Sequence, residues 1–407
     1  RELRTLTTDE RRQLALYIRH SCRLLVMRTA DIDYAYQIFL TINDRGRQLT
    51  REDILRAEVI GPLNAEQRRR YDGVIQEFTR YQTEARSDRT KKGKTFFSHL
   101  AAIHGAKGKS IIAEIRRLVR QTGGPVKFGE DVFIPLADAY LTVKRPAGER
   151  PARMPALEHY LTAFRWYEAF GDDDWVPLAM LWLSRFGGDD TASVGFLRSL
   201  DRLALALRAL GSGYRERERR YAQIRETLRT SPTPPDPATL FMLSASEQRL
   251  ALNRIAKKCW VTDSQLCRLI LTRLDAHVSG RDLAGYEPAI QPRAFTVEHV
   301  LPQTGTPAQE WRDAFPDHRR RVLLAQSLGN LVLVPPNVNK EAAALPFEAK
   351  QRIYFSERNN PFHLTNMLAD PGLARWSEAE VSRRTVLMMT AVQEIWGFEG
   401  DLARLTL

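Results

Sequence analysis

Cysteine is scarce, with three residues in 407, Cys22, Cys259 and Cys267. They form neither an even framework nor a Cys-x-x-Cys pair, which argues against a disulfide-stapled fold and against structural zinc. They are expected as buried small hydrophobes in a reducing compartment. Long apolar runs are missing too. Nothing reaches the roughly 18 to 20 continuous apolar residues of a membrane span, and the opening RELRTLTTDE is charged rather than signal-like. A soluble, cytoplasmic protein with no membrane partner is expected. A phosphate-binding loop is also lacking. Gly108, Lys109 and Ser110 imitate its end, as do Gly93, Lys94 and Thr95, but the glycine required five positions earlier is replaced by Ile103 and Asp88.

What is present in excess is positive charge. Lys and Arg number 61 against 49 Asp and Glu, a formal charge of +12. Such a balance favours a polyanionic partner, because each phosphate neutralised releases condensed counterions. A length of 407 residues suits two or three domains, each able to bury its own core. The chain begins with Arg1 rather than Met, which suggests a fragment or a processed product.

Apolar residues recur at helical spacing almost throughout, so the expected fold class is mainly α, a multi-domain helical protein. Leu14, Ile18, Cys22 and Leu25 predict a helix from Asp9 to Met27, capped by Thr8 and Asp9. Tyr34 to Ile42 reads as helix, Asn43 to Gly46 as a turn, and Thr50 with Asp53 as the capping box of a second helix. Helical stripes continue to about residue 230. There SPTPPDP, residues 231–237, places four prolines in seven positions and predicts an extended spacer. The expected division is therefore 1–66, 67–230, the linker 231–237, and 238–407.

After two more helices, near 246–260 and 263–278, the pattern changes. AFTVEHVL, residues 294–301, and NLVLV, residues 330–334, read as short strands, with a helix around Trp311 between them. A long helix is expected from Asn339 to Ser356, and further helices to the end.

This segment carries the chemistry. A one-metal nuclease needs hard oxygen ligands for the ion, a neutral imidazole to accept a proton from water, and a scaffold that presents both to a phosphate. Glu298 and His299 are adjacent on a predicted strand and face opposite sides unless the chain bends, as Pro302 invites. Asn330 opens the next strand, and Asn339 follows nine positions later at the start of a helix. Taken singly, each is an ordinary packed or turn-forming residue; the order is what points to a site.

The strings VEHVLPQT, SLGNLVLVPPNVN and PFEAKQRIY, with Trp311 between the first two, resemble the C-terminal HNH nuclease domain of GmrSD-type modification-dependent restriction endonucleases, a group that includes phosphorothioate-sensing SspE-like proteins. The resemblance implies a small ββα-metal element within the helical fold. It implies His299 as general base, Glu298 and Asn339 as ligands of Mg²⁺ or Mn²⁺, and Asn330 as a catalytic-site residue that pins the loop and orients His299. Lys340, Lys350 and the run Arg319, Arg320, Arg321 are candidate phosphate contacts. The His299 to Asn330 interval is longer than in compact HNH domains, and the resembled group shares that insertion.

The stretch from Tyr36 to Val59 resembles the later part of the ParB-like sensor domain that accompanies this nuclease in the same proteins. The DGQQR-type nucleotide motif of that domain is absent, so no nucleotide site is assigned to this chain. Asn43, Arg45 and Gly46 suit a tight turn on backbone grounds alone, and Arg47 and Arg51 face either DNA or water. Among the other basic runs, Arg215 to Arg220 interleaves glutamates and reads as a solvated helix face. The function implied is a metal-dependent DNA endonuclease, the effector of a restriction or anti-phage system whose DNA partner carries phosphorothioate or glucosylated hydroxymethylcytosine. The alternatives are a catalytically silent DNA-binding sensor and an HNH-type RNase toxin.

Overall fold

The computed structural model describes residues 7–23, 59–87, 95–105, 110–145, 154–169, 172–281, 283, 286, 294–303, 308–355, 361–370 and 372–402. Two compact units divide the chain, Arg1–Ala57 and Glu58–Leu407. The expected turn at 43–46, its flanking helices and the ParB-like resemblance up to Glu58 lie outside the described residues. In the first unit, α1 (Thr8–Ser21) is capped one residue earlier than expected. Thr7 accepts from the Glu10 backbone while the Glu10 side chain accepts from Thr7, a reciprocal capping box.

The second unit is mainly helical. It begins with α2 (Ala65–Ser87), α3 (Phe96–Ile103) and α4 (Ile111–Thr122). Next, α5 (Pro125–Phe128) runs through a π turn into α6 (Ile134–Lys144). Then come α7 (Pro155–Ala169), α8 (Val176–Phe186), α9 (Asp190–Ala209) and α10 (Tyr214–Thr230). The starts follow from side chains that satisfy first-turn amides. Ser110 accepts from Ala113, and Asp189 from Thr191 and Ala192.

The proline-rich stretch leads into a short α11 (Pro237–Leu240), then α12 (Ala245–Thr262) and α13 (Ser264–Val278). These helices pack against those before the prolines, α12 and α13 both lying on α9. One buried carboxylate joins four helices. Asp201 of α9 accepts from Tyr167 of α7 at 2.8 Å, Trp396 of the last helix at 2.9 Å and Arg273 of α13 at 2.6 Å. The Arg273 guanidinium also lies over the Trp396 ring, 4.5 Å from its centroid. Such a pair is sustained in an apolar core because the Asp201 carboxylate also accepts from Tyr167 and Trp396. Cys259 and Cys267 are buried in this region, whereas Cys22 is exposed.

The described strands are two, β1 (Thr296–His299) and β2 (Leu331–Val334), paired antiparallel with Glu298 opposite Val332 and His299 opposite Leu331. Between them lie α14 (Gln309–Ala314) and α15 (His318–Ala325). After β2 come α16 (Pro336–Ala342), α17 (Phe347–Tyr354), α18 (His363–Asn366) and α19 (Glu378–Trp396). The single helix expected from Asn339 to Ser356 is thus two. Ala343 takes a positive φ of 36° and ends α16, and Pro346 then caps α17. Asn330 closes a 3₁₀ turn just before β2 rather than opening the strand.

That turn is wedged against α19. A Cβ on Gly329 would lie 2.4 Å from the Val381 carbonyl and 2.4 Å from the Thr385 hydroxyl, and the glycine amide donates to that hydroxyl at 3.1 Å. Gly329→Ala is expected to cost about 1–3 kcal/mol or more, since helix and turn must separate. Urea unfolding measures this, and an unchanged midpoint would show that the turn does not need its glycine.

Candidate active site

The connection from β1 to β2 is long, and Asn330 closes it. Its backbone carbonyl accepts from Val300 at 3.0 Å. Its side-chain oxygen accepts from the Leu301 amide at 2.7 Å and the Trp376 indole at 3.0 Å, while its Nδ2 donates to the carbonyls of Leu301 and Ala325, each at 3.0 Å. All four valences of the amide are filled. An aspartate would lack the donors and a leucine everything. Arg384, buried on α19, donates to the carbonyls of Gly329, Leu331 and Leu364 and holds the same turn from the other side.

Glu298 and His299 project from the end of β1 into different surroundings. Glu298 is buried, 5% exposed as a whole residue. One oxygen, Oε1, accepts from the Lys350 ammonium at 2.6 Å and the Tyr354 hydroxyl at 3.1 Å. Burial pushes its pKa up, and the ammonium and hydroxyl oppose that shift. Lys350 also donates to the His299 carbonyl at 2.9 Å, so one ammonium is bonded to both members of the pair.

His299 is 8% exposed as a whole residue, and its ring meets the Trp260 indole of α12 edge to face, with ring centroids 5.6 Å apart and planes at 85°. Its Nε2 is buried without a hydrogen-bond partner. Burial first, and the Lys350 charge second, depress its pKa to about 4. The imidazole is therefore held neutral, the form able to accept a proton. Asn339, on α16, donates from Nδ2 to the carbonyl of Val297 at 2.9 Å, which docks its side chain on β1 beside Glu298 and turns its amide oxygen away from that bond.

The expected phosphate contacts divide. Lys350 is not at the surface. Its side chain is 0% exposed, so its ammonium is directed at Glu298 and the strand rather than at a DNA backbone. Lys340 is exposed on α16, next to Asn339. Arg319 is exposed at the start of α15. Arg320 pairs with Glu378, and Arg321 donates to the Phe315 carbonyl at 2.8 Å. Sequence reasoning missed Tyr354 and Trp260. A signal for Tyr354 existed, because it stands four residues after Lys350 on one helix and so shares its face. No local signal pointed to Trp260.

Among the described residues no three His, Cys, Asp or Glu side chains cluster as a metal cage. The fit to a cation rests instead on the Glu298 carboxylate of β1 and the amide of Asn339, whose Nδ2 is bonded to β1 and whose oxygen takes no part in that bond, with a buried imidazole nitrogen lacking a partner. That donor set suits a hard ion that keeps most of its waters, as Mg²⁺ does. The Lys350 ammonium occupies one carboxylate oxygen, so a cation would share Glu298 rather than own it.

Residues 245–391 match the family described as GmrSD restriction endonucleases, C-terminal domain. The match supports a GmrSD-type restriction endonuclease C-terminal region running from α12 into α19, and it makes DNA the substrate class of the family resembled. No curated protein matches the chain. No helix among the described residues is long and apolar enough to cross a membrane.

Proposed function

We propose that the chain is a metal-dependent DNA endonuclease of the HNH type, the effector of a modification-dependent restriction system in the cytoplasm. The carrying observation is the Glu298–His299 pair at the end of β1, with the Asn339 side chain docked on the same strand and a buried imidazole nitrogen left without a partner. When bound, Mg²⁺ or Mn²⁺ held by Glu298 and Asn339 would stabilise negative charge on the scissile phosphate and the departing oxygen.

The chain's own groups do the rest. His299, neutral because it is buried, takes the proton from the attacking water. A phosphate brought beside it raises its proton affinity just as that proton moves, since opposite charges attract most strongly in a dry site. Lys350 favours the ionised form of Glu298 against the opposing effect of burial and ties the strand carbonyl, so the carboxylate does not swing. Asn330 fixes the backbone that follows His299. Lys340 and Arg319 contact flanking phosphates, and the DNA mark, phosphorothioate or glucosylated hydroxymethylcytosine, is read by a ParB-like sensor region of the same system.

The low exposure of His299 favours a second reading, a silent DNA-binding module in which the imidazole is only packed. One experiment separates the two. Supercoiled plasmid incubated with the protein and Mg²⁺ or Mn²⁺ should be nicked or linearised, EDTA should stop the reaction, and RNA of matched sequence should survive. Cleavage that persists in EDTA removes the metal from the scheme, and preferential loss of the RNA changes the substrate class.

A further inference from the structure

Trp260 lies outside every role assigned so far, and the geometry around it is specific. Its indole is in ring contact with His299, yet it is only partly buried. A base nitrogen stands roughly 3 Å from the water it activates, and that water a further 3–3.5 Å from phosphorus. The scissile phosphate must then lie within roughly 6–7 Å of the imidazole, about the separation at which the indole already sits. A partly buried aromatic ring at that distance is within reach of the sugar or base next to the cleaved bond.

The chain that carries the indole is irregular on one side and anchored on the other. The helix α12 breaks at Lys258, whose φ of −143° and ψ of 22° are not helical, and Lys258 itself is exposed. Three residues after Trp260, Asp263 is anchored twice. Its Oδ1 accepts from the amides of Gln265 and Leu266, both at 3.0 Å, and its Oδ2 accepts from Arg208 of α9 at 3.0 and 2.6 Å. The chain thus carries an exposed cation, Lys258, two residues before the Trp260 ring that touches His299, and both residue types suit a nucleic-acid strand.

We infer that Trp260 is a substrate-contacting residue, its indole stacking on the nucleotide that flanks the scissile phosphate. The inference rests on the reading of His299 as the base. A stacking contact of this kind changes affinity roughly 5- to 150-fold on truncation to alanine, and it is kept in part by any flat ring.

The test compares wild type, Trp260→Phe, Trp260→Ala and His299→Ala. In EDTA, a fluorescein-labelled 20-base-pair duplex is titrated and its anisotropy followed, with tryptophan emission recorded in parallel. Trp260→Ala should bind roughly 5- to 150-fold more weakly, Trp260→Phe should recover most of that loss, and wild type should show quenching that Trp260→Phe lacks. With Mg²⁺ present, the alanine variant should raise KM more than it lowers kcat, which a merely packed tryptophan would not do. If Trp260→Ala binds and cleaves like wild type while His299→Ala is inactive, the inference falls and the assignment of the base stands. If His299→Ala cleaves at the wild-type rate, both fall.

Discussion

Lys350→Met should destabilise the protein by about 3–5 kcal/mol and abolish cleavage, because it leaves the Glu298 carboxylate buried with no counter-charge. The pair is well sealed, with the Lys350 side chain 0% and the Glu298 side chain 7% exposed at a separation of 2.6 Å. Methionine fills nearly the same volume, so lost packing contributes little and the change is chiefly one of charge. The Tyr354 hydroxyl remains on Oε1, but one neutral hydrogen bond does not replace an ammonium at this distance. The carboxyl escapes by taking up a proton, and a protonated Glu298 is a poor cation ligand. Stability and cleavage should therefore fail together. Denaturant unfolding in EDTA isolates the structural part. The double variant Glu298→Gln with Lys350→Met, which removes the stranded charge, should regain more than half of the lost stability. A single variant within 1 kcal/mol of wild type would show that the carboxylate is not confined as described.

The fate of Lys350 shows where sequence reading stops. A lysine is solvated by default, and PFEAKQRIY offers a helix with a lysine on it, so a phosphate contact was the natural expectation. What buries it is Glu298, 52 residues earlier in the chain, and nothing within the helix announces that partner. The strands were legible because TVEH and LVLV are short runs rich in β-branched and apolar residues bounded by turn formers. The order Glu298, His299, Asn330, Asn339 was legible as a set, and the fold brings its members onto adjoining elements. Helix limits were less so. The positive-φ Ala343 that divides α16 from α17 is in a backbone state that residues other than glycine seldom adopt, and no pattern of apolar residues encodes it. Trp260 and Arg384 act on the site from remote helices. Contacts of that kind arise only when the helices pack, which is why composition and periodicity gave no hint of either.

His299→Ala should lower the cleavage rate about 10²- to 10⁴-fold, the contribution of a positioned general base, while leaving the fold nearly intact. The two halves of that expectation come from the same observation. The imidazole Nε2 is buried and bonded to nothing, so truncation strands no protein partner, and the strand beneath is held by its own backbone pairing with Leu331 and by Lys350 on the His299 carbonyl. A residue that only filled space against Trp260 would show the opposite balance, a stability loss from the cavity with cleavage reduced no more than the unfolded fraction requires. Plasmid nicking rates set beside denaturation midpoints decide between them. An alanine variant that folds and still cuts at the wild-type rate would leave the proton of the attacking water without an acceptor on β1, and the HNH reading of this site would have to be given up.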